Sequence, residues 1–168
     1  IDYDNGYVVA TCAHGISFPK ETRSIIVTAY GATTKTAYAL VLAEDIDKDV
    51  AILKIADIGT IRPIKLASAS LADGTECQSY GYCPDFVRKV VSVDLKPVKN
   101  ESPNLEDHKL RGDNGDVLLV CAGDVVPSMS GGALVHQNRV YGLLSARDEG
   151  IAIYSTLEQI NDVINKAK

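Results

Sequence analysis

Residues 127–134 have the sequence PSMSGGAL, in which Ser130 is followed by two glycines and then by a short apolar run. Glycines let the backbone bend sharply and let another segment approach closely. Such a turn suits a hydroxyl group that must stand exposed beside backbone amides. Taken alone, the motif is more typical of a flexible surface turn than of a reactive serine. Other features of the chain are needed to distinguish the two.

Composition and charge exclude several classes of protein. The chain has 168 residues, of which 46% are hydrophobic and 23% charged, as in an ordinary soluble globular protein of one domain or two small packed halves. The net charge of −5 and the lack of a basic run argue against nucleic acid or an anionic membrane as partner. No apolar stretch approaches the roughly 20 residues of a membrane helix. Because the chain begins with Ile1 and shows no signal peptide, we interpret it as a processed or trimmed piece whose localisation the sequence does not indicate.

The four cysteines do not form the dense pattern of a disulfide framework. Cys77 and Cys83 fall on one expected strand, roughly 20 Å apart at about 3.3 Å per residue, so they cannot bridge each other. We expect mostly buried, reduced thiols, Cys12 and Cys121 included. Cys12 and His14 are close enough in sequence to suggest zinc, but no Cys-x-x-Cys pair accompanies them, so we expect neither a metal nor a cofactor.

Short β-rich runs separated by turn residues are typical of a barrel or a sandwich. Asp4-Asn5-Gly6 is a strong hairpin signal. Residues 62–73 are expected to connect two sets of strands, and residues 97–115 to form a long exposed loop. The expected strands are 7–11, 24–30, 36–43 and 50–55 in the first set, and 76–82, 87–93, 117–121, 133–136, 139–145 and 151–155 in the second.

The end of the chain differs from the rest, because its apolar residues recur at helical spacing. These residues are Leu157, Ile160, Val163, Ile164 and Ala167. Ser155 with Glu158, or Thr156 with Gln159, can serve as a capping box. We therefore predict an all-β protein in two halves with one C-terminal helix, and we expect that helix to pack on the second set of strands.

A serine hydroxyl is a poor nucleophile until a base takes its proton, and three histidines are available as that base. His108 lies in the polar loop, where it is expected to be solvated. His136 is on the strand that leads away from Ser130, so it is badly placed to reach back. His14 follows the first strand at the expected rim of the first half, and it is our candidate for the base.

A base of this kind needs a carboxylate that holds it in the correct tautomer. Four acidic residues crowd one segment: Glu44, Asp45, Asp47 and Asp49. Only Asp49 is followed directly by an apolar run, residues 50–53, which must be core. An acid at the mouth of a buried strand can be held rigidly and partly desolvated, so Asp49 is our candidate, and the predicted order is His14, Asp49, Ser130.

Nearly the whole chain resembles one family. Residues 6–14, GYVVATCAH, resemble the histidine motif of trypsin-like serine proteases, and residues 47–55, DKDVAILKI, resemble their aspartate motif as seen in the HtrA (Deg) branch. Residues 63–67 and 74–82 are similar to the same branch, and residues 130–134, SGGAL, match the serine motif. The compact form is also similar to the polyprotein-processing proteases of positive-strand RNA viruses.

The resemblance implies two six-stranded antiparallel Greek-key barrels with the active site in the cleft between them. The first barrel would be residues 1–66, the connector 67–75, the second barrel 76–155 and the helix 156–168. Ser130 would attack a peptide carbonyl, His14 would take and return its proton, and Asp49 would steady the imidazolium. Backbone amides of Ser128 and Ser130 would form the oxyanion hole. The expected partner is a protein or peptide substrate, and the expected assembly is a monomer or weak oligomer.

Three departures from the family pattern matter. Ser128 stands where the family nearly always has glycine, so a preformed oxyanion hole is in doubt. Met129 replaces the aspartate with which digestive members receive a freed amino terminus, so Ile1 is not expected to act as one. The glycine-rich strand that usually precedes the first hairpin, and a peptide-binding PDZ module, are not seen. These departures motivate a second hypothesis, a catalytically weak peptide-binding module on the same fold.

The resemblance also indicates which residues would line a substrate pocket. The family's pocket wall corresponds to residues 142–147, and we assign Ser145, Ala146 and Arg147 to it. Asp124 is placed like the floor aspartate of trypsin, which would favour lysine or arginine. Arg147 could instead attract an acidic side chain or pair with Asp124. Asp124 is equally compatible with being a solvated charge on a loop. On the sequence alone we lean towards a basic preference.

Overall fold

A computed structural model describes residues 2–3, 6–16, 24–29, 33–55, 62–83, 89–97, 119–148 and 150–168 of the chain. The predicted hairpin turn at residues 4 and 5, the turn at 84–88 and most of the expected 97–115 loop lie outside these ranges, as does His108.

The first half is a curled antiparallel sheet with the strand order β1-β2-β5-β4-β3. Its central strand has the sequence VAILKI, and every residue except Lys54 is buried, which explains why the apolar residues run on without alternation. The predicted 50–55 strand is confirmed to the residue. The five strands are β1 (Asp2–Tyr3), β2 (Gly6–Thr11), β3 (Ile25–Ala29), β4 (Lys35–Asp45) and β5 (Val50–Ile55).

The second half is a closed barrel of six strands. Its order is β10-β7-β8-β9-β12-β11, and β10 pairs again with β11, which leaves the ring without an edge. A two-residue strand, Lys65–Leu66, lies outside the ring and pairs in parallel with β11. The strands are β6 (Lys65–Leu66), β7 (Cys77–Cys83), β8 (Lys89–Pro97), β9 (Leu119–Ala122), β10 (Ala133–His136), β11 (Arg139–Asp148) and β12 (Ile151–Thr156).

The barrel interior holds two of the cysteines as free thiols. Cys77 and Cys121 are buried in the core of the second half, and the Cys77 thiol donates to the Leu95 carbonyl at 3.1 Å. Cys12 is also a buried free thiol. Cys83 ends the same strand that Cys77 begins, so the separation predicted for this pair is confirmed.

Helix α1 (Leu157–Lys166) begins at Thr156, whose hydroxyl accepts a hydrogen bond from the Gln159 amide at 3.3 Å. The Gln159 side chain accepts in return from the Thr156 amide at 2.8 Å. Of the two capping boxes that the sequence allowed, the one at Thr156 therefore forms. Neither this helix nor any other in the described ranges has the length and apolar character needed to cross a membrane.

The helix packs on the second set of strands, as expected, and it also packs on the first set, which the sequence did not indicate. Ile160 and Val163 are fully buried in one cluster with Val50 and Ile52 of β5 and with Leu143 of β11. The apolar face of the first sheet needs a cover at this point, and the helix supplies one to both halves at once.

Two ion pairs fasten the same helix to the first half. Lys166 lies 2.7 Å from Asp45 at the end of β4, and Asp162 lies 2.7 Å from Lys48 in the turn that follows. Both are partly exposed, so each contributes little to stability by itself. Their effect is to orient the helix on the surface that its apolar residues bury.

The buried helix face generates a test of this packing. Ile160→Ala should lower the free energy of unfolding by about 2–5 kcal/mol, because Ile160 is 0% exposed and its loss leaves a cavity between the halves. Asn161→Ala, at the adjacent exposed position, is the matched control and should change stability by less than about 0.5 kcal/mol. Urea unfolding followed by circular dichroism measures both. Equal losses for the two variants would contradict the packing described here.

Candidate active site

His14 and Asp49 meet at one edge of the first sheet. β2 and β5 are antiparallel neighbours with Thr11 opposite Ala51. The segment that follows β2 and contains His14 therefore lies beside Asp49, which directly precedes β5. The backbone amide of His14 donates to Asp49 Oδ1 at 2.8 Å, and His14 Nδ1 contacts Asp49 Oδ2 at 2.8 Å. Since an ionised carboxylate only accepts, Nδ1 carries the proton and Nε2 keeps its lone pair.

Asp49 receives a further hydrogen bond from the second half. The hydroxyl of Ser145, on β11, donates to Asp49 Oδ2. The Asp49 side chain is only 5% exposed, so its negative charge depends on these donors for stabilisation. Its φ of 50° lies in the left-handed region, which aspartate tolerates better than most residues.

The turn that carries Ser130 is fixed on β11 by backbone hydrogen bonds. Gly131 N donates to Leu144 O at 2.7 Å, and Leu144 N donates to Gly132 O at 2.8 Å. Leu144 directly precedes Ser145, which contacts Asp49. One short stretch of β11 therefore holds the serine turn and the aspartate together.

The same turn lies directly against the end of β2. Gly131 has a φ of 79°, and a methyl group built on it would lie 2.3 Å from Thr11 Oγ1 and 2.9 Å from Cys12 N. His14 follows Cys12 by two residues, so the serine turn and the histidine lie at the same junction of the two halves, which we call the cleft.

Ser130 itself is exposed, and its hydroxyl makes no hydrogen bond within the described ranges. The His14 side chain is 50% exposed, which leaves its ring accessible from the cleft. The structure thus joins His14 to Asp49 directly, and it brings Ser130 to the neighbouring residues without a serine–histidine hydrogen bond.

Cys12 lies beside Nε2 of His14, the ring nitrogen that does not contact Asp49. Its sulfur is 3.8 Å from His14 Nε2. Burial raises the pKa of the Cys12 thiol, and the charge of Asp49 raises that pKa further, so the thiol stays protonated near neutral pH. In the part of the chain that the structure describes, no group of three or more histidine, cysteine, aspartate or glutamate side chains is arranged to hold a metal ion.

Met129 anchors the serine turn in the second barrel. Its side chain is 1% exposed and lies in the same core as Leu134 and Tyr154. It packs so closely on β7 that a methyl group built on Gly81 would lie 2.6 Å from Met129 Cβ. The residue just before Ser130 thus fastens the turn by apolar packing.

The residues assigned to a substrate pocket lie on two segments next to the serine turn. Asp124 and Arg147 are both exposed, and Arg147 Nη1 donates to Val125 O at 3.4 Å. Ala146, which lies between Ser145 and Arg147 in the sequence, is half-buried. The Ser145 hydroxyl is directed at Asp49, a contact that the sequence analysis did not anticipate. A single hydroxyl within the buried stretch of β11 is the signal that could have revealed it, because a buried polar group needs a partner.

His136 is engaged elsewhere. Its Nδ1 lies 2.8 Å from the carbonyl oxygen of Glu76, and its ring packs edge-on against Tyr141 at 6.1 Å between centroids. It also lines a cavity of about 510 Å³ together with Asp94 and Lys96. Within the described ranges, none of these cavity residues forms a hydrogen bond with His14, Asp49 or the serine turn.

A curled sheet and a closed barrel, joined where a histidine–aspartate pair lies near a serine turn, are the architecture of the chymotrypsin fold. Residues 2–143 match the family model of the trypsin-like peptidase domain. The chain belongs to this family. The recognition made from its three motifs is therefore confirmed, and so is the trypsin-like all-β fold with a C-terminal helix.

Solved structures of proteases share the fold. The active form of the Rv3671c protease from M. tuberculosis is 20% identical, with a TM-score of 0.71 over 96% of this chain and 72% of that chain. Its inactive form gives a TM-score of 0.69 at 20% identity, over 96% of this chain and 82% of the other. A serine endoprotease from Yersinia pestis is 17% identical, with a TM-score of 0.71 over 99% of this chain and 55% of that chain. No curated protein sequence matches this chain significantly.

The contact between the serine turn and β2 generates a second test. Gly131→Ala should lower the free energy of unfolding by more than Gly150→Ala. Gly150 has a φ of 70° and open space around it, so its replacement costs only the left-handed strain, about 1–2 kcal/mol. Gly131→Ala adds a collision with the backbone at Cys12, worth about 1–3 kcal/mol more. Urea denaturation of the two variants compares them, and equal losses would show that the turn does not press on β2.

Proposed function

We propose that the protein is a serine endopeptidase that cleaves peptide bonds through His14, Asp49 and Ser130. The observation that carries the proposal is the 2.8 Å contact between His14 Nδ1 and a buried Asp49, in the cleft that also holds the serine turn. Membership of the trypsin-like peptidase family supports a protease, and the geometry supports serine chemistry within it.

Proton transfer begins at the free nitrogen of the histidine. Because Asp49 holds the proton on Nδ1, Nε2 accepts the proton of Ser130 Oγ as that oxygen bonds to the substrate carbonyl carbon. The carbonyl electrons move onto its oxygen. When the tetrahedral intermediate collapses, Nε2 returns the proton to the leaving amine and the peptide C–N bond breaks. Water then attacks the acyl-serine ester, again with Nε2 as base, and the ester oxygen leaves as the Ser130 hydroxyl.

Asp49 supports this cycle electrostatically. Once the ring takes a second proton, the imidazolium lies 2.8 Å from a carboxylate that is shielded from water. The Ser145 hydroxyl and the His14 amide donate hydrogen bonds to that carboxylate and fix its direction. The ring therefore does not have to reorient between proton transfers.

The backbone amides of Ser128 and Ser130 are proposed to stabilise the oxyanion. Met129 N donates to Val126 O at 3.4 Å, which makes Pro127 and Ser128 the central residues of a turn. Proline at the first central position and a positive φ of 71° at the second are typical of a type II turn. Ser128 thus adopts a left-handed backbone conformation despite its side chain, and its hydroxyl donates to Pro127 O.

The second hypothesis, a catalytically weak peptide-binding module, draws on two features of the same site. Ser128 has a non-glycine side chain in the left-handed region, and the Ser130 hydroxyl makes no hydrogen bond in the described ranges. Measurable turnover of peptide substrates by the natural sequence excludes this hypothesis. Binding without turnover supports it.

Covalent labelling tests the proposed nucleophile. A fluorophosphonate probe should label the natural protein, and Ser130→Ala should abolish the label, because the probe reacts only with an activated serine hydroxyl. Asp49→Asn should slow labelling by about 10³–10⁴-fold through loss of the correct tautomer. Ser70→Ala, at an exposed serine outside the cleft, is the control and should label at the natural rate. Failure of the folded natural protein to react, with and without a peptide substrate, would refute the proposal.

Replacing Ser128 by glycine tests the oxyanion hole. We expect Ser128→Gly to change kcat/KM by less than about tenfold, since Ser128 already adopts the left-handed backbone angle that glycine favours. If the seryl side chain instead kept an amide out of the hole, the variant should gain about 10²–10³-fold in kcat. A fluorogenic peptide assay separates the two results, and a gain of that size would favour the second hypothesis.

A further inference from the structure

One charged side chain, Arg147, lies between two segments next to the proposed nucleophile. These segments are the loop at residues 124–129 and the β11 residues 145–147; we call them the two walls, and we call the surface between them the groove. The first wall ends directly before Ser130, and the second begins directly after Leu144, whose backbone holds the serine turn through two hydrogen bonds. Arg147 spans them, since its Nη1 donates to Val125 O at 3.4 Å on the opposite wall.

We propose that Arg147 makes this groove select substrates with an aspartate or glutamate immediately before the cleaved bond. The proposal rests on the proposed function, because it assigns the substrate class of the same site. A substrate side chain adjacent to the carbonyl that Ser130 attacks has to enter between these two walls, and it meets the guanidinium there.

The guanidinium has donors to spare for a substrate carboxylate. Arginine carries five N–H donors in a planar fork, and only one contact, to Val125 O, is made within the described ranges. No carboxylate in those ranges forms an ion pair with Arg147. A glutamate or aspartate side chain can accept two parallel hydrogen bonds from the fork, which a neutral glutamine cannot reproduce with the same strength.

Asp124 is the competing determinant, and the sequence alone favoured it. Its carboxylate is exposed, and no partner holds it in place within the part of the chain that the structure describes. The Arg147 guanidinium, in contrast, is held against the other wall of the groove. A lysine or arginine side chain entering the groove would have to pass this like charge, which disfavours it.

A set of fluorogenic peptides that differ only at the residue before the cleaved bond tests the proposal. With glutamate, glutamine, lysine and leucine at that position, the natural protein should give the highest kcat/KM for glutamate. The advantage over glutamine should be at least about tenfold, as expected for a charge-assisted hydrogen bond. It should shrink as the salt concentration rises, because the groove is open to water.

Variants at Arg147 supply the specific readout. Arg147→Met keeps much of the side-chain length without the charge and should bring the glutamate and glutamine rates together. Arg147→Glu should reverse the preference towards lysine. Arg139→Met, at the exposed start of the same strand, is the matched control and should leave the preference unchanged. A glutamate preference that survives in Arg147→Met would overturn the proposal, as would a lysine preference that Asp124→Asn removes.

Binding separates a failure of this proposal from a failure of the proposed function. Fluorescence anisotropy measures the affinity of the Ser130→Ala variant for labelled product peptides that end in glutamate, glutamine or lysine. This measurement needs no catalysis. Tighter binding of the glutamate peptide, lost in the Ser130→Ala, Arg147→Met double variant, supports the selectivity. Equal binding of the three peptides overturns it, whereas the fluorophosphonate result reports on the serine alone.

Discussion

The site depends on two consecutive residues of β11. The backbone of Leu144 holds the serine turn through Gly131 and Gly132, and the hydroxyl of Ser145 donates to the buried carboxylate of Asp49. Asp49 in turn fixes the ring of His14. A displacement of this strand would remove a donor from a buried charge and move the serine turn at the same time, so the geometry of the cleft and the stability of the fold are coupled.

Much of this arrangement could be predicted from the sequence, because the signals are local. Asp49 stands directly before a strand with no polar interruption until Lys54, which marks it as an acid at the edge of a core. The Thr156 capping box and the apolar spacing after it give the start and the buried face of the helix. The three motifs around His14, Asp49 and Ser130 then indicate the family, which the match over residues 2–143 confirms.

The contacts that could not be predicted join segments far apart in the chain. Ser145 and Asp49 are 96 residues apart, and Lys166 and Asp45 are 121 apart. Whether such pairs meet depends on how the two halves pack, and neither the hydrophobic period of a segment nor its charge specifies that packing. The helix shows the same limit, since its apolar face and its packing on the second half, at Leu143, were expected, but its contact with Val50 of the first half was not.

The serine turn illustrates how one fold can hold the same loop by different forces. An ion pair at the residue before Ser130 would depend on pH and salt, and on a charged partner that reaches the turn. Met129 instead lies among Leu134 and Tyr154 in a closed barrel, against the glycine at position 81. Packing of this kind is insensitive to ionic strength but requires the barrel to be fully formed. The position of Ser130 is therefore tied to the folding of the second half, and the hydrogen bond from Ser145 to Asp49 connects that half to the aspartate and the histidine.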